Sequence, residues 1–318
     1  MKWEIVMDSK LFGLAQTEWR WLIAIYLFLA GAGGGAHITG VAADFMGWTT
    51  VATIGICLGW PCVLIGCLCL LADLGTVQNA WRVARKPDTS WIARGTIIIS
   101  IFMIVAFIHT ILWAWPGTMA GGDATARHVV GVIGAVFAFG TMVYTGLLLG
   151  DAIPMPFWST ALLPILFFFS AASTGVMAVI LAGVFAGVEE STLLTLARAD
   201  IVLIVVEALV LAAYLHGSYR HPNTRMSAEH VLSGPAATMF WMGVVICGLL
   251  IPLVIDALGI HGTGAAIASI LGLIGGLCLR YVVLAGGAMY PMSAAGTDFR
   301  PVRRPKDPMP AMGKLPPS

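Results

Sequence analysis

The chain has 318 residues, of which 59% are hydrophobic and only 10% charged, and its formal net charge is +1. A globular enzyme of ordinary composition carries about 25% charged residues, and a nucleic-acid-binding chain needs a basic face to neutralise phosphates, so both classes are excluded. A mean hydropathy of +0.92 belongs to a chain that sits in lipid.

A membrane span needs about 20 predominantly apolar residues. Eight runs meet that length, at roughly 20–44, 51–75, 94–115, 128–150, 158–185, 199–217, 237–256 and 264–288. The first is too long for the apolar part of a cleavable signal and follows Glu4, Asp8 and Glu18, so it reads as a mature span. Strands of a membrane barrel would alternate apolar and polar residues over about 10 positions, and these runs do not. The expected fold is therefore all-α: a polytopic bundle of eight transmembrane helices over 20–290, behind an N-terminal segment 1–19. The stretch 291–318 is rich in proline and charge and reads as an extended or disordered tail.

Orientation follows from lysine and arginine. With eight spans the termini share one side with loops 76–93, 151–157 and 218–236, and that side collects 14 of the 17 basic residues. Arg127 and Arg198 fall on the other side and Arg280 lies inside a span. Both termini are expected to be cytoplasmic. Six cysteines are present, four of them (Cys57, Cys62, Cys67, Cys69) in the second span. Their spacing lacks the close pairs of zinc and iron–sulfur sites, so they read as small apolar fillers and no metal is assigned.

Ionisable residues within spans are costly, by about 2.5–3.5 kcal/mol each on insertion scales, and usually face the protein interior. His37 lies in the outer third of the first span. Asp44 follows seven residues later on nearly the same helix face. His109 is in the outer third of the third span, close to Trp113 and Trp115. His128 and Asp256 mark the outer ends of spans four and seven. A deeper group includes Asp200, Glu207 and Tyr214, seven apart in span six, with Arg280 in span eight placed to pair with Glu207. Asp73 and Tyr144 lie toward the cytoplasmic ends of spans two and four, and Ser170, Ser173 and Thr174 sit mid-membrane in span five.

The first span also holds "GAGGGAH", Gly31 to His37. Each such glycine costs roughly 1 kcal/mol relative to alanine in a soluble helix. Two readings account for the run. Small residues let another helix approach closely; alternatively Gly33 and Gly34 clear a narrow slot for a flat ring whose polar edge His37 contacts. A quinone suits such a slot, because it needs an apolar cleft, hydrogen-bond partners for two carbonyl oxygens, and groups that exchange protons.

Several segments are familiar together: "WRWLIAIYLFLAGAGGGAH", Ala72-Asp73-Leu74-Gly75 with Ser90-Trp91 and Arg94-Gly95, Tyr144-Thr145-Gly146 with Pro156-Phe157-Trp158, and "FWMGVVICGLLIPLVID". These resemble the NrfD/PsrC family, the integral-membrane subunits of polysulfide-reductase-type complexes. The resemblance implies an eight-helix bundle in a bacterial or archaeal cytoplasmic membrane, without haem or iron–sulfur cluster of its own. It implies menaquinone or ubiquinone bound near the outer face, a four-cluster iron–sulfur subunit docked there, and a molybdopterin catalytic subunit behind it. His37 takes the place of the family's first-helix quinone ligand. Gly34 stands where the family's pattern has asparagine, and Tyr144 matches the fourth-helix tyrosine.

The expected quinone-binding set is thus Gly33, Gly34, His37, His109 and Tyr144, and the expected proton-transfer set is Asp44, Asp73, Glu207, Arg280 and Asp256. The expected role is a membrane anchor that exchanges electrons between the quinone pool and a partner iron–sulfur subunit and conducts protons. Two other classes use similar residues: a haem b anchor, which needs paired axial histidines, and a proton-coupled transporter.

Overall fold

A computed structural model describes residues 21–73, 90–114, 124–151, 155–260 and 262–288. The expected N-terminal segment, most of the loop after Asp73 and the tail from 291 lie outside them. Every regular element among the described residues is helical, as expected where lipid offers no partner to a backbone N–H or C=O. In chain order they are α1 (Trp21–Phe45), α2 (Thr49–Asp73), α3 (Trp91–Ala114), α4 (Ala124–Gly150), α5 (Leu162–Phe185), α6 (Glu190–Arg220) and α7 (Pro222–Leu232). A π-helix over Met239–Leu250 then runs directly into α8 (Ile251–Ala257), and α9 (Thr263–Ala288) follows.

Seven of these are long and apolar enough to cross a membrane: α1 to α5, the combined Met239–Ala257 helix, and α9. That is one fewer than the eight expected. The remaining long helix, α6, has 31 residues and carries Arg198, Asp200 and Glu207 along its length. It packs against α5 and α8 and buries Asp200, Glu207 and Tyr214 on one face, which is the seven-residue stripe read from the sequence.

α1 is the hub. It packs on α2, α4, α5 and α9, and its small residues let those helices come within backbone contact. A Cβ on Gly33 would lie 2.7 Å from the Gly59 carbonyl oxygen of α2, and one on Gly34 would lie 2.9 Å from Cγ of Met142 in α4. On another face Gly35 meets the backbone of α5 at Ala171 and Gly175. Further along, Gly40 and Gly55 bring α1 and α2 together, a Cβ on Gly40 lying 2.6 Å from the Ile56 nitrogen. Lipid gives helices no hydrophobic reason to associate, so this close contact is a principal source of the packing energy.

The sequence suggested neither α7 nor the π-helix. Pro252 lacks an N–H, so it cannot bond back to the Gly248 carbonyl as an α-helix requires; the wide turns lie immediately upstream. Across from them Gly248 abuts Gly275 of α9, and Gly243 abuts Cys278. The segment between α4 and α5 is pinned at two points. The Trp158 indole donates to the Val283 carbonyl of α9 at 2.8 Å, and the Tyr214 hydroxyl donates to the Phe157 carbonyl at 2.6 Å.

The α1–α5 crossing is testable. Gly175→Val forces two backbones apart and is expected to destabilise the bundle by roughly 1–3 kcal/mol, the range for overpacking. Gly217→Ala is the control, since nothing lies within 4 Å of its added Cβ. Thermal unfolding of both variants in detergent is the measurement, and equal midpoints would remove the crossing from its central place.

Candidate functional site

Two buried polar systems occupy different parts of the bundle. The first lies among α1, α2, α3 and α4. His37 and His109 are both 0% exposed, and their ring centroids are 5.4 Å apart in edge-to-face contact. Phe102 closes one side of His37, with its centroid 5.3 Å away. Three glycines make room for the rings. A Cβ on Gly59 would lie 2.8 Å from the His37 Cβ, one on Gly134 2.6 Å from His37 Nε2, and one on Gly131 3.0 Å from His109 Cε1. None of the four ring nitrogens has a hydrogen-bond partner among the described residues. An unmet buried polar atom costs about 1–3 kcal/mol, so such a cluster calls for a partner that the described residues do not supply.

From His109 a polar chain runs to the end of the bundle. Trp113 is one turn further along α3, with its ring 6.5 Å from His109. The Arg127 guanidinium stacks over Trp113 at 4.6 Å. It also grips Asp44 through two hydrogen bonds, Nη2 to Oδ1 at 2.7 Å and Nε to Oδ2 at 3.0 Å. His128 Nε2 stands 3.5 Å from the same carboxylate, and its ring, stacked on Phe45, is partly exposed. His37, His109 and Asp44 are therefore gathered as the sequence suggested. Arg127 and His128 complete the cluster; the sequence signal was an adjacent arginine–histidine pair opening a span at the depth of Asp44.

Gly33, Gly34 and Tyr144 do not join them. The space beside Gly33 is filled by Gly59, Cys62 and Val63 of α2, and that beside Gly34 by Met142 and Ala138 of α4. At both glycines a neighbouring helix takes up the space, the arrangement of the helix-packing reading. Tyr144 is ten residues along α4 from Gly134, a rise of about 15 Å. Its ring fills the space beside Gly95 of α3, and its hydroxyl faces that of Tyr26. Two of the segments that carry the family resemblance, Arg94-Gly95 and Tyr144-Thr145-Gly146, thus pack on each other.

The second system lies among α5, α6, α9 and the π-helix. Arg280 is fully buried. Its Nη1 donates to the Ser170 hydroxyl and, at 3.2 Å, to the Gly276 carbonyl; Nη2 donates to the Phe167 carbonyl at 3.3 Å. The guanidinium also stacks over Phe167 at 5.1 Å. Ser170 faces Glu207 as well. The expected direct Glu207–Arg280 ion pair is not found among the described residues, unlike those that join Asp44 to Arg127 and His128. A serine hydroxyl stands between the two charges instead.

Toward the Asp44 end of the bundle the same system continues to Asp200. Ser173 and Asp256 are its neighbours, yet without good hydrogen-bond geometry, and both Asp200 carboxyl oxygens are buried with no hydrogen-bond partner among the described residues. Asp256 is half-buried at the end of α8, facing the start of α6. A cavity of about 10 Å3 touches Ser170, Ser173, Thr174 and Glu207 together with Gly248 of the π-helix and Gly275 of α9, which is the space of about one water. Thr174 bonds to its own helix, at the Ser170 carbonyl. Asp73 ends α2, and its side chain lies outside the described residues.

Chemically, the first system offers two imidazoles able to take or give a proton and a charged cluster leading to the surface. The second offers carboxyl, hydroxyl and guanidinium groups in a row across the bundle.

Residues 11–291 match the family described as "Polysulphide reductase, NrfD". The sequence is 25% identical over 300 residues to a polysulfide reductase chain from Wolinella succinogenes, covering 86% of this protein and 95% of that one. It is 28% identical over 312 residues to the NrfD homolog of Haemophilus influenzae, covering 87% and 97%. A shorter match, 28% over 127 residues, is to a sulfite dehydrogenase subunit from Allochromatium vinosum and covers 36% and 39%. With its apolar spans and a family match over most of its length, this chain is a multi-pass membrane protein belonging to the polysulphide reductase NrfD family.

Proposed function

We propose that the chain is the quinone-reactive membrane subunit of a respiratory oxidoreductase complex, and that His37 and His109 are where it meets the quinone. The observation that carries this is the buried pair with four unpartnered ring nitrogens. The donor set fits: an imidazole N–H donates to a carbonyl oxygen, and the unprotonated nitrogen accepts from a hydroxyl. Bound menaquinone or ubiquinone supplies two-electron, two-proton redox chemistry. His37 and His109 hold or release the protons at their ring nitrogens, Phe102 and Trp113 help exclude water, and Asp44 with Arg127 and His128 links His109 to the surface.

In this reading the Asp44 end of the bundle is the outer face, the termini are cytoplasmic, and α6 is the eighth span. A four-cluster iron–sulfur subunit docks at the outer face and connects to a molybdopterin catalytic subunit. Support comes from relatives named as parts of polysulfide reductase and sulfite dehydrogenase. The bilayer is that of a bacterial or archaeal cytoplasmic membrane. The row Asp256, Asp200, Glu207, Ser170 and Arg280, continuing toward Asp73, is a proton route separate from the histidines. A haem between the histidines is disfavoured, because their edge-to-face contact leaves no plane for a macrocycle between them.

His37→Ala in the intact, detergent-purified complex is expected to lower quinone turnover by about 10²-fold, the lower range for losing a positioned acid–base group. Partner retention and the visible spectrum are read on the same sample. Full turnover by an intact mutant complex would refute the histidine site, and a Soret band lost with His37 would make it a haem ligand.

Glu207→Gln separates the two systems. Quinone turnover in detergent should stay within about twofold of the parent, since no group at His37 is touched, whereas proton movement in sealed liposomes should be lost. Unchanged proton movement would leave Glu207 a structural residue.

A further inference from the structure

On the face of α1 turned away from His37 the bundle leaves a cavity of about 370 Å3 between α4 and α6, floored by α1 and α5. Small side chains open it: Ala42 on α1, Ala172 on α5 and Ala199 on α6. Its lining carries no charged side chain. Thr39 and Thr195 contribute hydroxyls, but both are already used: each Oγ1 donates to the carbonyl four residues earlier, Gly35 and Ser191, at 2.9 Å. A quinone head seated deep in the cavity would find no free donor for its carbonyls, since the one remaining donor in the lining, the Trp48 indole, lies at the end nearest the helix termini. A hydrocarbon chain would find what it needs, since an apolar cavity is stabilised by apolar contents and stays dry without them.

The size and position limit the choice further. The α1 residues that line the cavity begin at Gly35, and Met46 just past the helix end closes the set, a rise of about 16 Å, which is close to half of a hydrocarbon core of about 30 Å. The cavity thus spans one leaflet. Trp48 borders the end nearest the helix termini, where an indole suits the lipid–water interface. Arg198 is exposed on α6, in sequence between the lining residues Thr195 and Ala199 but not itself part of the lining. Among the described residues it forms no ion pair. A guanidinium there lays its stem on apolar surface and offers its charged fork to a phosphate.

We propose that this cavity is a binding site for a single phospholipid, with one acyl chain between α4 and α6 and the phosphate on Arg198. The lipid completes the walls that α1 and α5 leave open and ties α6, the most polar of the long helices, to the rest of the bundle. This site is independent of quinone chemistry at the histidines, so either proposal can fail alone.

The test uses the intact complex, washed extensively in detergent and analysed by native mass spectrometry, with extracted phospholipid and quinone quantified per chain. The parent should retain about one phospholipid that exchanges slowly with added phosphatidylglycerol. Ala172→Phe, which fills the cavity, should abolish retention, and Ala199→Phe on the opposite wall repeats the test should the first variant fold poorly. Arg198→Gln should weaken retention about tenfold, the loss of one charge-assisted contact, and Arg198→Lys should restore part of it. Retention that ignores the filling substitutions, or a quinone displaced by them in place of a phospholipid, would overturn the assignment.

Discussion

The contact on which the rest of this bundle depends is backbone against backbone along α1. Gly33, Gly35 and Gly40 bring α2 and α5 so close that a methyl group would intrude on either side. In a bilayer, where apolar burial between helices gains little over lipid, such van der Waals contact is what remains to hold helices together. A helix gripped on so many faces cannot turn or slide, so the residues it carries have defined depths and directions. His37 and Asp44 are two of them.

The same close packing explains how a histidine can be wholly buried without a partner. Gly59 of α2 and Gly134 of α4 give up their side chains to the His37 ring, and Gly131 does so for His109. Helices drawn together by glycines on α1 thus enclose a pocket made by glycines on its neighbours. The imidazoles remain unmet inside it, a destabilising arrangement of the kind that persists at functional sites because the surroundings over-determine it.

α1 and α5 also keep the two polar systems apart. On the α2–α4 side, histidines lead to an ion pair gripped by Arg127. On the α6–α9 side, Ser170 holds Arg280 away from direct contact with Glu207, and Asp200 lies buried beyond. A direct buried pair would hold both charges in one state; a hydroxyl between them can donate to one group while accepting from the other. The helix opposite is wound as a π-helix upstream of Pro252, and its Gly248 borders the small cavity shared by Ser170, Ser173 and Glu207.

Hydropathy and the depth of charge were legible in the sequence, because lipid constrains each span separately: a run must be apolar, helical and long enough whatever its neighbours do. That is why the helix positions, the shared face of His37 and Asp44, and the buried stripe of Asp200, Glu207 and Tyr214 could be read from spacing alone. Partnership could not. Glycines that suit a ligand ring equally suit another helix, and that α2 and α4 arrive at Gly33 and Gly34 was not written in the spacing. Tyr144 shares a family pattern with His37, yet the rise of α4 places it beside Gly95 and Tyr26. Ser170, Arg127 and the apolar cavity beside α1 owe their significance to residues tens of positions away. Burial within a helix is set by its own sequence and the solvent around it, whereas contact between helices is set by how several surfaces fit at once, and that was decided only when they packed.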